Sequence, residues 1–124
     1  MNLTGQAMLM RIFVGEADKV GHQPLYERIV QSARSAGLAG ATAWKGMTGF
    51  GATSRIRTAR VLDLSADLPV VIEIVDEQAK LDVFQGVLDD LFEQADCGGL
   101  VTLESVNVRR YLASNGRANA VELS

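Results

Sequence analysis

Only one cysteine and one histidine occur in this sequence, Cys97 and His22. A single cysteine excludes an intrachain disulfide and fits a reducing compartment, so a cytoplasmic location is expected. Zinc sites draw on three or four ligands, often in short-spaced pairs, and the chain offers neither such a pair nor a cluster. His22 and Cys97 lie far apart in sequence, and the ordinary reading of each is a loop imidazole and a thiol at the end of a helix. No catalytic residue is assigned, no metal is expected, and the chain is expected not to be an enzyme. An excess of positive charge is missing too: 12 Lys and Arg stand against 15 Asp and Glu, a net charge of −3. Nucleic-acid binders neutralise many phosphates, so no nucleic-acid partner is expected. No apolar run approaches the roughly 20 residues of a membrane helix. The start, Met1 to Met10, lacks the basic and then apolar pattern of a signal peptide.

What is present is a globular composition, 48% hydrophobic and 22% charged. Its 124 residues suit one domain, 1–124, with a core over about 8–112 and a tail over 113–124. Met1 to Gln6 reads as a frayed leader. Met8 to Val14 is a mostly apolar run that ends at Gly15, the pattern of a buried strand. Glu16 to Gln23 is polar and reads as a loop. Pro24 suits the first turn of a helix. Leu25, Tyr26, Ile29, Val30, Ala33 and Ala36 then line one helical face, and Gly37 is the stop.

Ala41 to Lys45 and Thr58 to Leu64 read as strands on either side of a loop. Val70 to Val75 is apolar on both faces apart from Glu73, which marks a central strand. A carboxylate there needs a partner, and Arg11 on the first strand or a loop arginine can supply it. Asp76 is the expected N-cap of a second helix. That helix carries Leu81, Phe84, Leu88, Leu91, Phe92 and Ala95 at helical spacing. Gly86 sits inside it at a cost of about 1 kcal/mol relative to alanine, and a close helix–sheet or subunit contact would explain it. Gly98-Gly99 ends the helix, and Leu100 to Leu103 and Val106 to Tyr111 read as strand. Arg109 and Arg110 alternate across that strand, so only one of them faces a given cleft.

Lys45 to Arg60 concentrates the candidate binding chemistry. Gly46, Gly49 and Gly51 are flanked by Lys45, Arg55, Arg57 and Arg60, with no acid in the run. Successive backbone N–H groups in glycine-rich turns form anion-binding nests, and guanidinium groups add paired hydrogen bonds to phosphate or carboxylate. A solvated β-hairpin tip is the competing reading of the same residues.

The order β-α-β-loop-β-β-α-β matches the split βαβ of an α+β, ferredoxin-like βαββαβ sandwich, here with an extra strand or hairpin. Both helices are expected on one sheet face. The other face carries apolar side chains too, and self-association is the simplest cover for it.

Several blocks in order resemble a PII-like family. They are Gly15-Glu16-X-Asp18-Lys19, Pro24-Leu25-Tyr26, Ala36-Gly37-Leu38-Ala39-Gly40-Ala41-Thr42, Gly49-Phe50-Gly51-Ala52-X-Ser54-Arg55-Ile56 and Leu68-Pro69-Val70-Val71-Ile72-Glu73. The resemblance spans about 8–112. It implies a homotrimer that binds adenine nucleotides in clefts between subunits and signals through the loop after the second strand, the T-loop. Lys45-Gly46 and Gly49-Phe50-Gly51 resemble the Lys-Gly-Phe-Gly-Arg-Gln block of the best-known PII proteins, but Met47-Thr48 intervenes and Ala52-Thr53 replaces Arg-Gln. Gly98-Gly99 stands where those proteins carry a glycine-rich turn with a phosphate-binding lysine, yet no lysine follows. Arg109-Arg110 is a loose echo of their paired arginines.

The expected ligand-binding residues are Gly49, Phe50, Gly51, Arg55, Arg57, Gly98, Gly99 and Arg110. The expected function is a regulatory protein for a small anionic ligand, an adenine nucleotide foremost. Two alternatives stand beside it. One is a regulatory subunit that docks on a membrane transporter or channel without nucleotide. The other is a metal-handling trimer similar to the divalent-cation-tolerance proteins, against which the missing Cys/His cluster weighs.

Overall fold

A computed structural model describes residues 5–49, 57–58 and 67–112. Its main sheet has four antiparallel strands, β1 (Gly5–Gly15), β4 (Thr42–Lys45), β7 (Pro69–Asp76) and β8 (Leu100–Val108), in the order β4-β7-β1-β8. Between them run α1 (Leu25–Ser35) and α2 (Gln78–Ala95). The two innermost strands are the two most apolar runs of the sequence, and it is their helix-facing side chains that are buried. This is the expected α+β, ferredoxin-like arrangement.

Alternation within the strands sorts the side chains. Met10, Ile12 and Val14 of β1 and Val70, Ile72 and Ile74 of β7 point to the helices and are buried. Leu25, Ile29 and Ala33 of α1 meet them, as do Leu81, Phe84, Leu88 and Leu91 of α2. Both helices therefore cover one sheet face.

α1 begins after Pro24 and closes at Gly37, whose φ of +77° suits glycine. Gly37 N–H donates to Arg34 O and Leu38 N–H to Ala33 O, the paired bonds of a Schellman motif. The second helix starts and stops differently from expectation. The β1–β7 ladder runs through Asp76, which pairs with Met8, so Asp76 belongs to the strand and Glu77 takes the N-cap. Asp76 is instead fully buried and accepts backbone N–H groups from Ala39 (2.9 Å) and Glu77 (2.7 Å). The helix stops before Gly98-Gly99: Asp96 turns left-handed at φ 50°, and Cys97 N–H donates to Phe92 O. Aspartate adopts that conformation more readily than most residues, because its short polar side chain can hydrogen-bond locally.

Three smaller expectations also change. Gly5 and Gln6 belong to β1 rather than to a frayed leader, because the ladder with β8 extends to Gly5↔Val108. The polar stretch after β1 contains a short hairpin, β2 (Lys19–Val20) with β3 (Gln23–Pro24), turning at Gly21. β8 is one strand ending at Val108, not two segments reaching Tyr111. Most of the strand expected over 58–64, and the tail 113–124, lie outside the described residues.

Gly86 has no atom within 4 Å of where a Cβ would stand, so no close contact among the described residues requires glycine there. Gly86→Ala is expected to raise unfolding stability by about 1 kcal/mol. Urea denaturation checks this, with a raised midpoint and an unchanged slope; a lowered midpoint would point to a contact with another molecule.

Candidate functional site

The sheet face away from the helices is open, and register puts two rows of side chains across it. Trp44, Val71, Phe13 and Leu100 form an apolar row, with Trp44 58% and Leu100 55% exposed. Thr42, Glu73, Arg11 and Thr102 form the next polar row. Arg11 Nε donates to Glu73 at 2.7 Å, and its Nη1 pairs with Glu104. The expected partner of Glu73 is thus found on the neighbouring strand. The hydrogen bond to Glu73 leads the causes that raise the Arg11 pKa, while partial desolvation opposes it. Arg11 is consequently committed to protein carboxylates.

Above the polar row lies a cleft of about 770 Å³, within the range of small-molecule sites. Leu9, Arg11, Glu73 and Val75 make its floor, residues 39–42 one wall, and residues 108–111 the other. The second wall exists because the chain leaves β8 after Val108. Arg109 and Arg110 lie beyond the strand end, so strand alternation no longer separates them: both are exposed and both line this cleft. Neither has an ion-pair partner among the described residues. Tyr111 then donates its hydroxyl hydrogen to Ala39 O at 2.6 Å, joining the two walls.

The base of the glycine-rich loop is built at the other end of the sheet. Gly46 N–H donates to Pro69 O and Glu16 N–H to Leu68 O, each at 2.7 Å. Glu16 also pairs with Lys45, and this hydrogen bond is the main cause raising the lysine pKa. β5 (Thr48–Gly49) and β6 (Arg57–Thr58) pair antiparallel beyond this clamp, so the loop leaves the sheet as a hairpin.

Asp18 accepts a hydrogen bond from Gly15 N–H at 2.8 Å. Burial first, and then Asp18, push the Cys97 thiol up to about 11. Nucleophilic cysteines have lowered pKa values, so Cys97 lacks that activation. Among the described residues no group of three or more His, Cys, Asp or Glu could hold a metal ion. No helix among them is long and apolar enough to cross a membrane.

Among the described residues, Gly98 and Gly99 do not converge with Arg110 within one chain. Gly98 and Gly99 precede β8 and Arg110 follows it; from Leu100 to Val108 that strand extends roughly 25 Å. A Cβ on Gly99 would stand 2.6 Å from the Phe92 ring and 3.2 Å from Phe13 O, so close packing explains this glycine. Gly49 pairs with Arg57 through the backbone at the loop base. Phe50, Gly51 and Arg55 lie outside the described residues. The residues missed at the sequence level are Arg109 as a companion of Arg110, Tyr111, and the Ala39–Thr42 wall. The last of these is visible in the sequence only as one of the blocks carrying the family resemblance.

Comparison with known proteins agrees with the fold. The model of the DUF190 family, described as "Uncharacterized ACR, COG1993", matches residues 7–108. A UPF0166 protein of Aquifex aeolicus is 37% identical over 100 residues, covering 81% of this chain and 90% of the relative. One from Methanocaldococcus jannaschii is 30% identical over 103 residues, 83% of this chain and 92% of the relative. Among solved structures, CPII, a nitrogen regulatory PII-like protein of Thiomonas intermedia bound to ADP, AMP and bicarbonate, aligns with a TM-score of 0.63. It shares 16% identity, over 83% of this chain and 88% of that one. A putative PII-like signaling protein of Thermus thermophilus gives 0.59 at 16% identity, over 84% and 90%.

Proposed function

The chain belongs to the DUF190 (UPF0166) family and has a PII-like fold, and from that footing we propose that it is a cytoplasmic regulatory protein that binds an adenine nucleotide. The observation that carries this reading is the cleft whose rim holds two arginines with no ion-pair partner among the described residues. Paired guanidinium groups suit the oxygens of a diphosphate. The apolar side chains of Leu9, Val75 and Val108 in the same cleft suit a flat base. ADP and AMP bound to CPII support the choice of nucleotide.

Recognition without turnover is the whole of the proposed chemistry. The chain acts as a single domain in a homotrimer, since three copies would cover the open row of Trp44, Val71, Phe13 and Leu100. Such an assembly can set the loop-base end of one copy against the arginine end of the next. Gly49, Gly98 and Gly99 would then meet Arg110 across a subunit boundary. Occupancy would shift the loop between states of different affinity for a partner, as a ligand switch requires.

Titration calorimetry with ATP, ADP and AMP tests the reading. Saturable binding of at least one nucleotide, with one site per chain, is the expected result. No heat and no thermal shift at millimolar ligand would overturn it.

A further inference from the structure

We infer that Tyr111 is a positioning residue, the outer member of a relay Asp76–Ala39–Tyr111 that braces the two arginines over the cleft. This rests on the functional reading above and adds to it a device for preorganisation. β8 ends at Val108 and a lone bridge residue follows at Leu112, so the strand itself does not fix residues 109–111. Tyr111 does so from the far wall, through its 2.6 Å hydrogen bond to Ala39 O. Ala39 is itself held, because its N–H donates to the Asp76 carboxylate at 2.9 Å.

Asp76 is the rigid end of the relay. It is fully buried, and its second oxygen accepts Glu77 N–H at the start of α2. A buried carboxylate with two amide donors cannot give one up without leaving polar groups unsatisfied. One residue, Ala39, through its N–H on one side and its carbonyl on the other, therefore links a core carboxylate to the arginine-bearing strap. The backbone of the strap is thereby held before a ligand arrives, which reduces the ordering that binding must impose.

Tyr111→Phe removes one hydrogen bond and keeps the ring. ADP affinity measured by calorimetry is expected to fall about two- to tenfold, the range of one net hydrogen bond, with the loss in the entropy of binding. The decisive comparison is a double-mutant cycle. In an Arg109→Gln/Arg110→Gln background Tyr111→Phe is expected to cost nothing further, because the hydroxyl acts through the arginines. Additive losses would mean that Tyr111 touches the ligand itself and would overturn the brace. Amide exchange of the unliganded protein gives a second readout. Tyr111→Phe is expected to speed exchange at 39–42 and 109–111 relative to wild type, and unchanged exchange would also overturn it. If the wild-type protein binds no adenine nucleotide, the functional reading fails, while faster exchange in the variant would leave the brace standing.

Discussion

Arg109→Gln/Arg110→Gln lowers ADP affinity by a factor on the order of a hundred, while leaving the fold intact. The size follows from the chemistry at the rim. A hydrogen bond to a charged group contributes about 1.5–3 kcal/mol, and loss of about 3 kcal/mol across the two positions is roughly a hundredfold in affinity. The fold is spared because both side chains are exposed, lie past the end of β8, and have no ion-pair partner among the described residues. Arg11 would not compensate, since Glu73 and Glu104 already engage it. Calorimetry against ADP, with circular dichroism as the control, measures both halves of the expectation. Wild-type affinity in the double variant would remove the cleft as the phosphate site.

The second large effect concerns assembly. Trp44→Glu/Leu100→Glu puts two acids at the ends of the apolar row on the open sheet face. Burying each large apolar side chain contributes about 1.5–3 kcal/mol. Their joint loss is about 3–6 kcal/mol per chain, a hundredfold or more in the association constant. Like charges brought together from several copies add to the penalty. Light scattering at micromolar concentration is expected to give a trimer for wild type and a single chain for the variant. Because both side chains are more than half exposed, the variant keeps the wild-type far-UV spectrum. A variant that remains trimeric would show that another face holds the copies together.

Local pattern and long-range contact divide what can be read beforehand. The apolar runs of β1 and β7 and the helical spacing of α2 announce buried elements, since each signal is contained in a short window. Gly37 announces its own turn for the same reason. Glu73 goes one step further: its isolation among β-branched residues implies a cationic partner, and Arg11 supplies it. Asp76 shows where this kind of reading stops. Its sequence context is that of an N-cap, and only the ladder with Met8 and the approach of Ala39 reveal a strand-end carboxylate serving the core.

The cleft is legible only in fragments. Arg110 carries a visible signal, but a strand continued through both arginines puts Arg109 on the opposite face. That boundary lies where β8 stops at Val108, opposite Gly5 some hundred residues away in sequence. The contact between Tyr111 and Ala39 has no local signature, for a hydroxyl and a carbonyl 72 positions apart leave no periodicity. The glycine pattern draws attention to Gly99, but not to the packing against Phe92 that leaves no room for a side chain there.

The clamp at the loop base has a consequence for how such a protein can change over generations. Gly46 is fastened to Pro69 and Leu68 to Glu16, so the ends of the intervening stretch are held together whatever lies between them. Lengthening a flexible closed loop twofold costs only about 0.6 kcal/mol in closure entropy. Insertions and deletions there would scarcely disturb the sheet. The stretch can therefore diverge in length and sequence at little cost to the sheet, while the arginine-rimmed cleft at the far end of β8 remains under separate constraint.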